Sequence, residues 1–256
     1  MNNLKLSATE LAGNASMPLL VVLPSLGTSV AALWTPVAER LAHRFHVVGV
    51  DLPGHGQSAP ATGPFRMPDL AQAVLAAVEL FSRDQFRIAG VSIGGCITQQ
   101  LTVDAPQRLA KAVILNSAAK IGQAEAWDQR AALVLAEDTA VLREGSAARW
   151  FAPGFAERDG KRADALLASL CEADAASYAG LCRALAQFDL RYQLGDITVP
   201  MLVIGGKDDV ATPPEQQIAL AAGFRDGRVH IVPQVGHLAP AEQPDQVEEL
   251  IAAFLD

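Results

Sequence analysis

A serine, a histidine and a pair of aspartates each stand just after a short apolar run in this chain, and together they can make a proton relay. Phe86 to Val91 is strand-like and ends in Gly90-Val91-Ser92-Ile93-Gly94; an amphipathic segment, Cys96 to Asp104, follows at once. Gly-x-Ser-x-Gly between a strand and a helix marks a nucleophile elbow, a turn so sharp that side chains flanking the serine would clash. The hydroxyl is then pushed out at the carboxyl edge of a sheet, beside helix N–H groups that favour developing negative charge. A serine hydroxyl is a weak nucleophile, so it needs a base within hydrogen-bond reach and an acid that orients the base. His237 follows the run Val229–Val232 and supplies the base; Asp208 or Asp209, after Met201–Ile204, supplies the acid. An oxyanion needs two N–H donors, and these are expected from Ile93, next to the nucleophile, and from Leu26 in the small-residue loop Pro24–Thr28. The remaining histidines receive structural readings: His43 and His46 flank a helix–strand turn and His230 lies in a strand. His55 sits in Asp51–Ser58, a glycine-rich turn that shapes the sheet edge. Cys96 is read as packing.

Positioning these groups takes a sheet whose strands end at one rim. Leu19–Leu23, Val47–Val50, Phe86–Val91, Ala112–Leu115, Met201–Ile204 and Val229–Val232 read as strands, and Leu4–Ala8 as an edge strand. Trp34, Val37, Ala38 and Leu41 have helical spacing, as do Leu70, Val74, Val78 and Phe81, with that helix starting near Asp69. Proline in the first turn at Pro213-Pro214 starts another helix, and Val247, Leu250, Ile251, Phe254 and Leu255 form a terminal one. Repeated strand–helix units predict an α/β fold: a mostly parallel central sheet with helices on both faces. From Asn116 to Gln187 the rhythm stops. This stretch is alanine-rich and helical, with Trp127, Ala131 and Leu135 on one stripe and Leu166, Leu170 and Leu185 on others. It reads as a helical insertion, a lid over 116–187 between the core segments 1–115 and 188–256.

Bulk properties exclude several functions. The 256 residues suit one α/β domain with an insertion. A net charge of -8 and no basic stripe argue against a nucleic-acid partner. Cys96, Cys171 and Cys182 form no metal-like cluster, and their odd number suits a reducing compartment. Met1-Asn2-Asn3-Leu4-Lys5 lacks the pattern of a leader, and no apolar run approaches the ~20 residues of a membrane span. The expectation is a cytoplasmic protein, a monomer or small homo-oligomer, acting on a small molecule without membrane, metal or cofactor.

The order Ser…Asp…His resembles that of the α/β-hydrolase superfamily. Related hydrolases read Gly-x-x-Asp-x-x-Thr-Pro around the acid, and that resemblance lands on Asp209 rather than Asp208. From Leu19 onward the chain resembles the 3-oxoadipate enol-lactonase family, through Pro24-Ser25-Leu26-Gly27-Thr28, Gly54-His55-Gly56-Gln57-Ser58 and Gly90–Gly95. Two stretches in the insertion are more specific: Asn116-Ser117-Ala118-Ala119-Lys120-Ile121-Gly122 with Trp127 and Arg130, and Ala148-Arg149-Trp150-Phe151-Ala152-Pro153. The chain departs from the family at Pro24, where asparagine is usual, at Gly236 and Ala239, where Ala-His-Leu-Ser is common, and in an opening hairpin one strand short. The resemblance implies a serine hydrolase that opens a small enol-lactone through an acyl-enzyme. It also implies a pocket wall from Trp127 and a carboxylate contact from Lys120 or Arg130. A general carboxylesterase, a carbon–carbon bond hydrolase or a hydrolase-fold ligand receptor are the rival functions for the same residues.

Overall fold

The computed structural model describes residues 4–61, 63–82 and 84–256. Met1, Asn2 and Asn3, read above for the absence of a leader, lie outside the described residues. The strands are β1 (Ala8–Ala12), β2 (Leu19–Leu23), β3 (His46–Val50), β4 (Phe86–Val91), β5 (Leu109–Leu115), β6 (Met201–Gly206) and β7 (Gly227–Val232). The helices around them are α1 (Val30–Leu41), α2 (Met67–Val78), α3 (Ile93–Asp104), α4 (Ala124–Glu137), α5 (Arg143–Trp150), α6 (Phe155–Arg158), α7 (Gly160–Glu172), α8 (Ala175–Gln187), α9 (Pro214–Gly223), α10 (Ala239–Glu242) and α11 (Pro244–Leu255).

Every residue of β2 and β3 is buried, which is why these runs show no alternation: helices cover both faces of the sheet. Among the described residues the seven strands lie in the order β1-β3-β2-β4-β5-β6-β7. Strands β2 to β7 are parallel, and β1 pairs antiparallel with β3 at the edge. The direction of winding reverses between β2 and β4. In open parallel sheets the crevice beyond the carboxyl ends of two such strands is where ligands bind, and the loops leaving β2 and β4 carry Leu26 and Ser92.

Two expectations shift. The edge strand lies at Ala8–Ala12 rather than Leu4–Ala8, because the ladder with β3 runs from Ala8 opposite Val50 to Ala12 opposite Val47, next to the turn closed by Met17 N–H on Asn14 O. Leu4 and Leu6 still pack against the core. Residues 116–187 hold helices and no strand, as read, but Leu135 is half exposed while Ala131 and Val134 are buried. The stripe of α4 that faces α8 therefore steps from Trp127 to Ala131 to Val134. Among the described residues no helix is long and apolar enough to cross a membrane, and no group of His, Cys, Asp and Glu is arranged to hold a metal ion.

Candidate active site

Ser92 forms the N-cap of α3 with φ 55 and ψ -115, a conformation that L-residues avoid. The surroundings hold it there. Its N–H donates to Leu115 O at 2.9 Å, and its carbonyl accepts from Cys96 N–H and from the Ser117 hydroxyl at 2.8 Å. The flanking glycines are needed for space: a Cβ on Gly90 would lie 2.2 Å from Gly94 O, and one on Gly94 would lie 2.7 Å from Pro24 O. Cys96, one turn on, is a buried thiol whose burial pushes its pKa up to about 12, so it packs and does not compete as a nucleophile.

Of the two aspartates it is Asp209 that meets the histidine. Its Oδ2 lies 2.9 Å and its Oδ1 3.1 Å from His237 Nδ1, whereas Asp208 is exposed. The loop is built around this carboxylate: Oδ1 accepts from Ala211 N–H and Thr212 N–H, and Oδ2 from the Thr212 hydroxyl and Asn116 Nδ2. Burial alone would push the Asp209 carboxyl up, but the His237 charge and the hydrogen bonds from His237 and Thr212 outweigh it and hold the carboxyl below its ordinary range. Asn116, at the end of β5 with φ 47, also donates to Gly236 O at 2.9 Å and accepts from Ala239 N–H, so one side chain aligns both loops.

The loop after β2 reaches the same place. Among the described residues the Leu26 and Ile93 N–H groups make no hydrogen bond. Gly27, with φ 87, donates its N–H to His55 Nε2 at 3.1 Å, while His55 Nδ1–H donates to Pro53 O at 2.8 Å. His55 is buried and neutral, its pKa pushed down by burial to about 4, and its ring stacks on Tyr178 at 6.0 Å. The turn that holds His55 therefore positions the Leu26 loop, a task beyond shaping the sheet edge.

These pieces close on a small cavity of about 50 Å³. Ser25, Leu26, Ser92, Ala211 and His237 line it from the sheet side, and Ile121, Trp127, Arg130, Ser146, Arg149, Trp150 and Tyr178 from the helical segment. The Alpha/beta hydrolase family description matches residues 20–250 of the sequence. The chain belongs to this family. Among curated proteins, 3-oxoadipate enol-lactonase 2 of Acinetobacter baylyi is 32% identical to this hydrolase over 95% of its chain and 90% of the relative. Among solved structures, the enol-lactonase from Burkholderia xenovorans superposes with a TM-score of 0.93 at 28% identity, covering 98% of this hydrolase and 96% of that chain. A hydrolase from Pseudomonas aeruginosa gives 0.91 at 32% identity, covering 98% and 93%. The resemblance read from the motifs holds along the length of the hydrolase.

The expected pocket residues divide. Trp127 and Arg130 line the cavity; the Trp127 indole donates to Ile121 O at 2.6 Å, and Arg130 Nε donates to the Tyr178 hydroxyl at 3.0 Å. Lys120 does not line it. It faces a separate groove of about 450 Å³ between residues 118–123 and α9, and pairs with Asp189 at 3.7 Å. Ala118, Ala119, Lys120, Gly122 and Gln123 line the groove, while Ile121 of the same loop lines the cavity.

Sequence reasoning left several site residues without a role. Glu242 is buried, with its Oε2 accepting Ala152 N–H at 2.8 Å and its Oε1 accepting Gly236 N–H at 3.0 Å and Leu238 N–H at 3.3 Å. Burial pushes its carboxyl up against the pull of those N–H groups. Its carboxylate ties the histidine loop to the helical segment, and His237 N–H donates to Trp150 O at 2.8 Å beside it. Gly236 makes this approach possible, since a Cβ there would stand 2.6 Å from Ala152 N and 2.7 Å from Trp150 O. A glycine before the histidine was the available signal in the sequence for Gly236; Glu242 had none beyond its place in a short helix.

Proposed function

We propose that this protein is a serine hydrolase that opens a small carboxylated lactone, 3-oxoadipate enol-lactone or a close analogue, through an acyl-enzyme. The observation that carries the reading is a cavity lined by both Ser92 and His237, the histidine held by a buried aspartate, and walled by two arginines, Arg130 and Arg149, that make no ion pair among the described residues. The enol-lactonases among its relatives supply the substrate. Residues 116–187 act as a lid on a core made of 1–115 and 188–256. A cavity of about 50 Å³ is well below the ~300 Å³ and more of ordinary ligand pockets, so the lid side gives way when substrate enters.

Ser92 Oγ attacks the lactone carbonyl while His237 Nε2 takes its proton. Asp209 accepts from Nδ1–H, which fixes the tautomer and stabilises the imidazolium. The oxyanion is met by the free Leu26 and Ile93 N–H groups, each worth about 10²–10³ in rate. Collapse breaks the ring C–O bond; the imidazolium returns its proton to the departing enol oxygen, and the enol tautomerises to the ketone while tethered to Ser92. Water then attacks the ester carbonyl with His237 as base, and the diacid leaves. The test is steady-state hydrolysis of the enol-lactone by wild type and Ser92→Ala. Loss of turnover in the variant supports the mechanism; equal turnover removes Ser92 from it.

A further inference from the structure

Among the described residues, the cavity lining holds one buried side-chain oxygen without a hydrogen-bond partner. It is Ser146, 2% exposed, whose Oγ has no hydrogen-bond partner among the described residues. A serine inside a helix ordinarily returns its hydroxyl to a carbonyl one turn back; here that does not happen. A buried hydroxyl left unpaired is costly, and a ligand atom that accepts from it removes the cost. Arg149 stands three residues further along α5, which puts it on the same side of the helix. It also lines the cavity and makes no ion pair or hydrogen bond among the described residues. Its charge reaches the Tyr178 hydroxyl, so it stands close to that wall. Arg130 is already engaged, with its Nε on the Tyr178 hydroxyl and its guanidinium 5.8 Å from the centre of that ring. Among the described residues no aspartate or glutamate lines the cavity to neutralise either cation.

We infer that Ser146 and Arg149 form a carboxylate subsite on helix α5, the hydroxyl donating to one carboxylate oxygen and the guanidinium to the other. The inference rests on the hydrolase reading above and narrows it to substrates whose acyl chain ends in a carboxylate. Sites built to hydrogen-bond a charged group discriminate against analogues that lack it, because their own polar groups are then left unpaired. The pair also separates the work of the two arginines: Arg149 holds the anion, and Arg130 braces Tyr178 and through it His55.

The experiment compares two aryl esters of equal chain length, 4-nitrophenyl glutarate, whose acyl chain ends in a carboxylate, and 4-nitrophenyl pentanoate, whose chain ends in methyl. The readout is the ratio of their kcat/KM values. Wild type favours the glutarate. Arg149→Met lowers the ratio about 100-fold and Ser146→Ala about tenfold, the range for hydrogen bonds to a charged group. Ser146→Thr, which keeps a hydroxyl, restores most of the ratio, a result that a packing role for Ser146 does not give; thermal melts check that each variant folds. An unchanged ratio in both variants, or a fall confined to Arg130→Met, overturns the subsite while leaving the hydrolase reading intact. Should wild type turn over neither ester, the hydrolase reading is judged by the enol-lactone assay above, and calorimetric titration of glutarate decides the subsite. Tenfold weaker binding in either variant supports it, and equal binding in all three proteins overturns it.

Discussion

The backbone N–H of Gly27 donates to Nε2 of His55, 28 residues away, at 3.1 Å. That bond requires the neutral imidazole, and burial keeps it neutral by lowering its pKa to about 4. The unfolded chain takes up the proton near the ordinary value of 6.5, while the folded chain does not. The stability contribution from His55 is therefore complete above pH 6.5 and is lost as pH falls toward 4, by roughly 3 kcal/mol in all. Denaturation measured from pH 7.5 to 4.5 for wild type and His55→Gln tests this. The wild-type curve should fall more steeply below pH 6.5, and parallel curves would contradict it.

Ser92 holds a left-handed backbone angle at a cost of about 1–3 kcal/mol. Ser92→Gly should relieve that strain and melt at a higher temperature than Ser92→Ala, which keeps the Cβ. Both variants should be inactive. Identical melting temperatures would mean that the elbow is unstrained.

Asp209→Asn keeps the shape of the loop but offers an amide N–H toward His237 Nδ1, favouring the wrong tautomer. A fall in kcat of about 10³–10⁴ is expected on any ester the wild type accepts. A loss below tenfold would take Asp209 out of the relay.

Glu242→Gln leaves one carbonyl oxygen where two carboxylate oxygens now serve three N–H groups from two segments. The amide N–H must then face a backbone N–H. We expect about 1–3 kcal/mol of lost stability, with kcat/KM falling tenfold or more as the His237 loop loosens. Labelling of Ser92 by a serine-reactive phosphonate should slow in parallel. Wild-type labelling rates would show that the bridge is structural only.

The sheet and the three loops were legible because their signals are local. An apolar run of five or six residues announces a buried strand, and glycines two residues either side of Ser92 announce the turn that follows. Asp209 needed the family resemblance, since nothing in Asp208-Asp209 itself says which carboxylate turns inward; the Thr212 hydroxyl that fixes it is visible only in three dimensions. Glu242 and Ala152 are 90 residues apart, and no periodicity in either stretch encodes their contact. Ser146 is hidden for the opposite reason: its significance is a missing partner, and a sequence records no such thing. Lys120 was misplaced because neighbours in an irregular loop have no fixed facing.

The loop that carries His237 and the stretch from Trp150 to Ala152 share a backbone seam, with His237 N–H on Trp150 O and no room for a side chain at Gly236. The seam couples the two segments: whatever shifts Trp150 or Ala152 also shifts the backbone that carries the imidazole, so this wall of the cavity and the base move as one piece.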